Sequence, residues 1–150
     1  MTLIREIMSR DVVLVAPETS IGYAAELMRR HDVGALPVYD GEAIVGMLTD
    51  RDLAVRALTG RYSPREPVSQ VATSGVEWCY DDEDVDVVQR RMGEAQIRRV
   101  PVVDRTHAMV GTLSIGDLAT RGDGAQRGRL ANTLEDISQR RIGDAGLAGN

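Results

Sequence analysis

The strongest constraint on this chain is that it repeats itself. The stretch Val33-Gly34-Ala35-Leu36-Pro37-Val38-Tyr39-Asp40, with Gly46-Met47-Leu48-Thr49-Asp50-Arg51-Asp52 after it, has a close second version. That version is Ile97-Arg98-Arg99-Val100-Pro101-Val102-Val103-Asp104, with Gly111-Thr112-Leu113-Ser114-Ile115-Gly116-Asp117 after it. Ile7 and Val71, Val12 and Val76, Met28 and Met92, and Pro37 and Pro101 match at an offset of 64. One extra residue in the second turn raises the offset to 65 for Gly46 and Gly111, Leu48 and Leu113, and Asp52 and Asp117. A period this long holds a whole supersecondary unit used twice. Neither copy is expected to bury its hairpin face alone, so the two should pack as one pseudo-two-fold domain.

The first copy shows what the unit contains. Ile4 to Met8 is a short apolar turn that docks the N-terminus. Val12-Val13-Leu14-Val15, β-branched and bounded by Asp11 and Pro17, predicts a short buried strand. Thr19 and Ser20 offer an N-cap to a helix with an apolar stripe at Ile21, Ala24, Ala25, Leu27 and Met28, ending near His31-Asp32. Strands Ala35 to Tyr39 and Ile44 to Leu48 flank an Asp40-Gly41 turn. A helix from Asp50 to Leu58 should then bury Leu53, Ala54, Ala57 and Leu58. The segment Gly60 to Pro67, with two prolines and a glycine, links the copies. The expected division is residues 1–62, 63–121 and a tail at 122–150. In the tail, Leu130, Leu134 and Ile137 predict a short amphipathic helix over Leu130 to Gln139 that docks on the module or on a partner. Gly143 to Asn150 is expected to fray.

Composition narrows the function classes. The 150 residues carry 18 basic side chains, all arginine, against 23 acidic ones, for a net charge of −5. That balance argues against a general nucleic-acid binder, which needs a basic face. It leaves room for a local arginine pocket that holds a phosphate. Phenylalanine is absent, so aliphatic residues must build the core. No apolar run reaches the length needed to cross a bilayer, and the N-terminus lacks a secretory pattern. The single Cys79 cannot form an internal disulfide, in keeping with a reducing cytoplasm. Cytoplasmic localisation is therefore expected.

Taken together, the repeat resembles the CBS domain, named for cystathionine β-synthase and found in pairs called Bateman modules. The resemblance covers about residues 3 to 121. It implies an α/β (α+β) fold of two tandem β-α-β-β-α units, with a cleft where the two sheets meet. It also implies a stand-alone regulatory module, commonly a homodimer, that acts on an unidentified protein target. Such modules bind AMP, ADP, ATP, S-adenosylmethionine or NAD as regulatory ligands, with no cofactor required. Carried over by motif, one site would use Ser114 and Asp117 with Val12, Val13 and Ala35. The other would use Thr49 and Asp52 with Val76, Glu77 and Arg98. Arg98 and Arg99, just before Pro101, are the phosphate candidates, and the first copy has Gly34-Ala35 there instead.

The chemistry suits these residue types. A fixed carboxylate accepts from both hydroxyls of a ribose, and hydrogen bonds to charged groups are the stronger ones. Thr49 and Ser114 sit where a strand gives way to a helix, where free N–H groups favour phosphate. Arginine can close bidentately on a phosphate. The same Ser/Thr-x-x-Asp signature also reads as a capping box that serves only its own helix. A ligand-free interaction or stress-associated scaffold with vestigial clefts is the competing function. Asp81-Asp82-Glu83-Asp84 is explained by a helix start. His31, His107 and Cys79 lack zinc spacing, Cys79 reads as a small buried hydrophobe, and Trp78 fits either a stacked base or an interface. No triad, paired catalytic acid or Walker loop is present, so no catalytic and no metal residues are assigned.

Overall fold

Two hairpins built to one register carry the molecule, and the computed structural model describes residues 1–139. In the first copy, strand β1 (Ala35–Tyr39) pairs antiparallel with β2 (Ile44–Thr49), placing Leu36 opposite Leu48 and Ala35 opposite Thr49. In the second, β3 (Cys79–Tyr80) runs parallel to β4 (Arg99–Val103), which pairs antiparallel with β5 (Met109–Ser114). Val100 lies opposite Leu113 and Arg99 opposite Ser114, with the same irregularity one pair from the turn. Asp40 Oδ1 closes the first turn by accepting from the Glu42 and Ala43 N–H groups, both at 2.8 Å. Asp104 does the same for Thr106 N–H at 2.8 Å and Ala108 N–H at 3.1 Å. The Ala43 N–H, with that of Glu42, holds the Asp40 carboxyl below its ordinary pKa, and the Thr106 hydroxyl leads the same effect at Asp104.

The helices between strands start and stop by matching local chemistry. Helix α2 (Ile21–His31) follows the short α1 (Ile4–Ile7), and the Ser20 hydroxyl accepts from Tyr23 N–H at its start. It ends where Asp32 takes a left-handed φ of 52°. Helix α3 (Val85–Ala95) begins on the Asp84 carboxylate and ends at Gln96, φ 57°. Asp32 and Gln96 are 64 residues apart, so the stop is repeated along with the start.

The expected strand Val12–Val15 does not form. Only Val15 pairs, as a single parallel bridge to Val38, and Val12 is 38% exposed. Its copy, Cys79, heads the longer strand β3 because the next ladder bond comes from Asp81 N–H to the Val103 carbonyl (2.9 Å). The residue matching Asp81 is Pro17, which has no N–H to donate.

The leading turn of each copy is built into the other copy's core. Ile4, Ile7 and Met8 pack with Val88, Val100 and Leu113, while Val68 and Val71, 64 residues later, pack with Leu36 and Leu48. The chain after each turn then bonds to the far hairpin. Ser9 and Thr112 exchange N–H···O bonds at 2.9 Å, as do Thr73 and Met47. This exchange ties the two halves into one body. The linker is held too, since Pro64 and Glu66 carbonyls accept from Gly22 and Ile21 at the start of α2. Ile4→Ala should cost about 2–4 kcal/mol through the cavity it leaves. Hydrogen exchange should then rise in β4 and β5 more than in β1 and β2, although Ile4 belongs to the first copy by sequence. A larger rise in β1 and β2 would contradict the exchange.

Two helices differ from expectation. Asp52–Ala57 is π-helical, with Leu58 N–H bonded to the Leu53 carbonyl five residues back. Residues five apart then share a side, so Asp52 and Ala57 are buried, whereas Ala54 is exposed and Leu58 is 75% exposed. Helix α4 (Ile115–Arg121), its copy, is an ordinary α-helix. Helix α5 (Gly124–Ser138) starts six residues before the expected Leu130, capped by reciprocal bonds between Asp123 and Gln126. It docks on α3 and α4. Its inward residues are Gln126, Leu130, Thr133 and Ile137, spaced four, three and four, and Leu134 faces out. Gln89 Nε2 donates to Thr133 Oγ1 across this contact at 3.1 Å. The Gly143 to Asn150 expectation lies outside the described residues.

Candidate functional site

At the end of β5, Ser114 and Asp117 cap helix α4. Asp117 N–H donates to Ser114 Oγ (3.2 Å), and Asp117 Oδ2 accepts from Ser114 N–H (3.0 Å) and Ser114 Oγ–H (3.1 Å). Thr49 and Asp52 repeat the device at the end of β2, with Thr49 N–H to Asp52 Oδ2 at 2.9 Å and Asp52 N–H to Thr49 Oγ1 at 3.1 Å. The capping box is thus real at both places, and both carboxylates are buried, at 9% and 8% exposure.

The second carboxylate oxygens differ. Asp52 Oδ1 faces the Arg56 guanidinium at 3.8 Å. The residue matching Arg56 is Arg121, and it turns away to donate to the Met8 carbonyl at 2.9 Å. Asp117 Oδ1 has no bond or ion pair among the described residues. The two copies, so alike in register, therefore present unequal acceptors.

Asp117 looks into a cavity of about 450 Å³. Val12, Val13, Val33, Ala35 and Pro37 supply its apolar wall, and Ser9, Thr112, Ser114 and Asp117 its polar one. Asp11, His31 and Arg99 complete the lining. Both halves contribute, so an occupant would bridge them. Six of the sequence-derived residues meet here: Val12, Val13, Ala35, Arg99, Ser114 and Asp117. Sequence reasoning missed Val33 and Pro37, although both lie two residues from Ala35 and strand alternation places them on its face. Ser9 and Thr112 carry no local signal, because their meeting depends on the exchanged turn.

The other candidates are placed differently. Thr49 and Asp52 stand at the mirrored strand end, and the Arg98 side chain is exposed. Val76 and Glu77 line a separate cleft of about 380 Å³ with Trp78, Tyr80, Glu83 and Arg91. Arg91 spans it, bonding Glu83 (2.9 Å), Glu77 (3.4 Å) and the Trp78 carbonyl (2.6 Å). Trp78 packs edge-on against Tyr80, with ring centroids 5.0 Å apart.

Cys79 is fully buried in the second core, and burial, with Glu83 adding to it, pushes its thiol up to about 12. A thiol so far from ionising is a poor nucleophile. It should stay unmodified by a thiol reagent at pH 8 and react only once the protein is unfolded; rapid reaction of the native protein would contradict its placement. Among the described residues no group of three or more His, Cys, Asp and Glu side chains is arranged to hold a metal ion.

The CBS domain family model matches residues 4–58 and 68–123, one match for each copy. The chain belongs to the CBS domain family. Hypoxic response protein 1 of Mycobacterium tuberculosis is 34% identical over 121 residues, 79% of this chain and 84% of that one. The crystal structure of hypoxic response protein I with two coordinated zinc ions superposes with a TM-score of 0.71 at 33% identity, covering 79% of this chain and 97% of the other. A CBS domain protein of Pyrobaculum aerophilum complexed with AMP aligns at TM-score 0.73 and 26% identity, over 87% of this chain and 99% of that one. The CBS domain pair of protein MJ0100, in complex with 5-methylthioadenosine and S-adenosyl-L-methionine, aligns at 0.68 and 30% identity, over 79% and 94%. This CBS pair thus has the mixed α and β fold of that family, and no helix among its described residues is long and apolar enough to cross a membrane.

Proposed function

We propose that this CBS pair is a sensor module that binds an adenine nucleotide in the cleft at Asp117. The observation that carries this is a buried carboxylate that lines a cavity within the range of small-ligand sites and whose Oδ1 has no partner among the described residues. A ribose offers two adjacent hydroxyls to it, the Val12–Val13 and Val33–Pro37 walls can sandwich a base, and Arg99 supplies a cation for phosphate. The ligands held by the Pyrobaculum protein and by the MJ0100 pair support this class of occupant. Because the cleft is made from both copies, a bound nucleotide favours one relation between them over another, which is what a signal to a partner protein requires.

The competing reading, a scaffold with vestigial clefts, is favoured by the complete capping boxes, which give both aspartates a structural task. Ligand-dependent unfolding decides between them. AMP at a hundredfold excess over its dissociation constant should stabilise the fold by about 2.7 kcal/mol. No shift with AMP, ATP, NAD or S-adenosylmethionine would leave the scaffold reading standing.

We further propose a homodimer, because Val55 and Leu58 stand 46% and 75% exposed on one helix. Light scattering should give about twice the 16.4 kDa chain mass; the single-chain mass at micromolar concentration would contradict it.

A further inference from the structure

Beside the Asp117 cleft lies an open groove of about 720 Å³, and the two share Ser9 and Asp11. Three arginines line the groove: Arg5 and Arg10 from the N-terminal turn and the chain just after it, and Arg121 from α4. Arg121 stands one helical turn beyond Asp117 on the same helix. None of the three is in an ion pair among the described residues. Arg10 donates only to the Arg5 carbonyl (3.0 Å), and Arg121 only to the Met8 carbonyl (2.9 Å). Glu6 also lines the groove, but its Oε2 caps α1 by accepting from Leu3 N–H at 2.6 Å. Asp11 stands at the junction with the cleft.

The duplication shows that this charge is particular to one side. At the offset of 64, Arg5 and Arg10 correspond to Ser69 and Ser74. The match for Arg121 is Arg56, which is already paired with Asp52. Among the described residues the arginine groove therefore occurs once, next to the cleft whose carboxylate oxygen has no partner there. In a chain of net charge −5, three convergent unpaired cations mark a place for a multiply charged anion.

We propose that this groove is a subsite for the outer phosphates of a nucleoside di- or triphosphate whose nucleoside occupies the Asp117 cleft. The inference rests on the nucleotide reading given above and adds a preference to it. A phosphate chain leaving the cleft past Ser9 meets Arg10, Arg5 and Arg121, whereas a monophosphate ends short of them. S-adenosylmethionine, whose tail carries a sulfonium, an ammonium and a single carboxylate, offers the groove far less negative charge.

The test is calorimetric titration of the full chain with AMP, ADP and ATP in magnesium-free buffer, repeated on the double variant Arg5→Gln, Arg10→Gln. Both side chains are exposed, so the fold is expected to persist, and the unfolding midpoint checks that it does. ATP should bind wild type at least about tenfold more tightly than AMP. The double variant should lose that advantage while its AMP affinity stays unchanged. Equal affinity of wild type for AMP and ATP would overturn the groove and leave the nucleotide reading in place. So would an ATP advantage that survives in the variant. If no nucleotide binds at all, both readings fall.

Discussion

Gly111→Ala should lower the unfolding midpoint by roughly 3–10 °C, a large loss for the addition of a single methyl group. An added Cβ at Gly111 would run into the Ser9 carbonyl oxygen and come within 3.0 Å of Met8 Sδ. The first of these is backbone held by its own ladder bonds to Thr112, so it cannot step aside cheaply. Gly111 has no left-handed φ, which means that alanine brings no backbone strain and the loss reports the close approach alone. Gly46 meets the Thr73 carbonyl in the same way, at 2.8 Å. Gly128→Ala is the control of opposite sign. Nothing lies within 4 Å of its Cβ position in α5, and a helical glycine is about 1 kcal/mol worse than alanine. Calorimetric scans of the two variants should move in opposite directions. A neutral Gly111→Ala would mean that the exchanged segment does not cross there.

These glycines also show where the sequence was legible and where it was not. The repeat carried the hairpins correctly, because a matched proline, glycine and leucine at constant offset preserve register. Caps were legible for the same reason, being short-range and made of Ser, Thr and Asp. What the pattern could not show was which core each leading turn would enter. Ile4 and Val68 look alike, and only the packed molecule reveals that each lies in the other copy's core. Val12–Leu14 form no ladder, and neither do their matches Val76–Trp78; the missing N–H at Pro17 decides only that Val15 stays a single bridge where Cys79–Tyr80 pair as a strand. The π-helix at Asp52–Ala57 shifts burial by one position and exposes Leu58, a change that an apolar stripe does not announce. At the candidate site, Ser114 and Asp117 were legible as a pair, but the inequality between Asp117 and Asp52 depends on where Arg121 and Arg56 turn.

Asp117→Ala should cost the ligand-free protein about 1 kcal/mol through the lost cap, and it should also remove most of the stabilisation that AMP provides. The second effect comes from charged hydrogen bonds to the ribose, whose loss weakens binding by roughly 1.5–3 kcal/mol, tenfold or more in affinity. Asp52→Ala should show the first effect without the second. Its carboxylate caps a helix in the same geometry, yet its remaining oxygen faces Arg56 rather than the cleft. Thermal unfolding of both variants with and without AMP reads the two effects separately. Equal ligand shifts in Asp117→Ala and wild type would make Asp117 a cap and nothing more.

The structure of this protein crystallised with AMP tests the central claim most directly. The account predicts one nucleotide in the cavity between Val12–Val13 and Ser114–Asp117, with its ribose hydroxyls within hydrogen-bond distance of Asp117 Oδ1 and its phosphate toward Arg99. An empty cavity at saturating AMP, or AMP bound instead in the cleft beside Trp78 and Arg91, would contradict it.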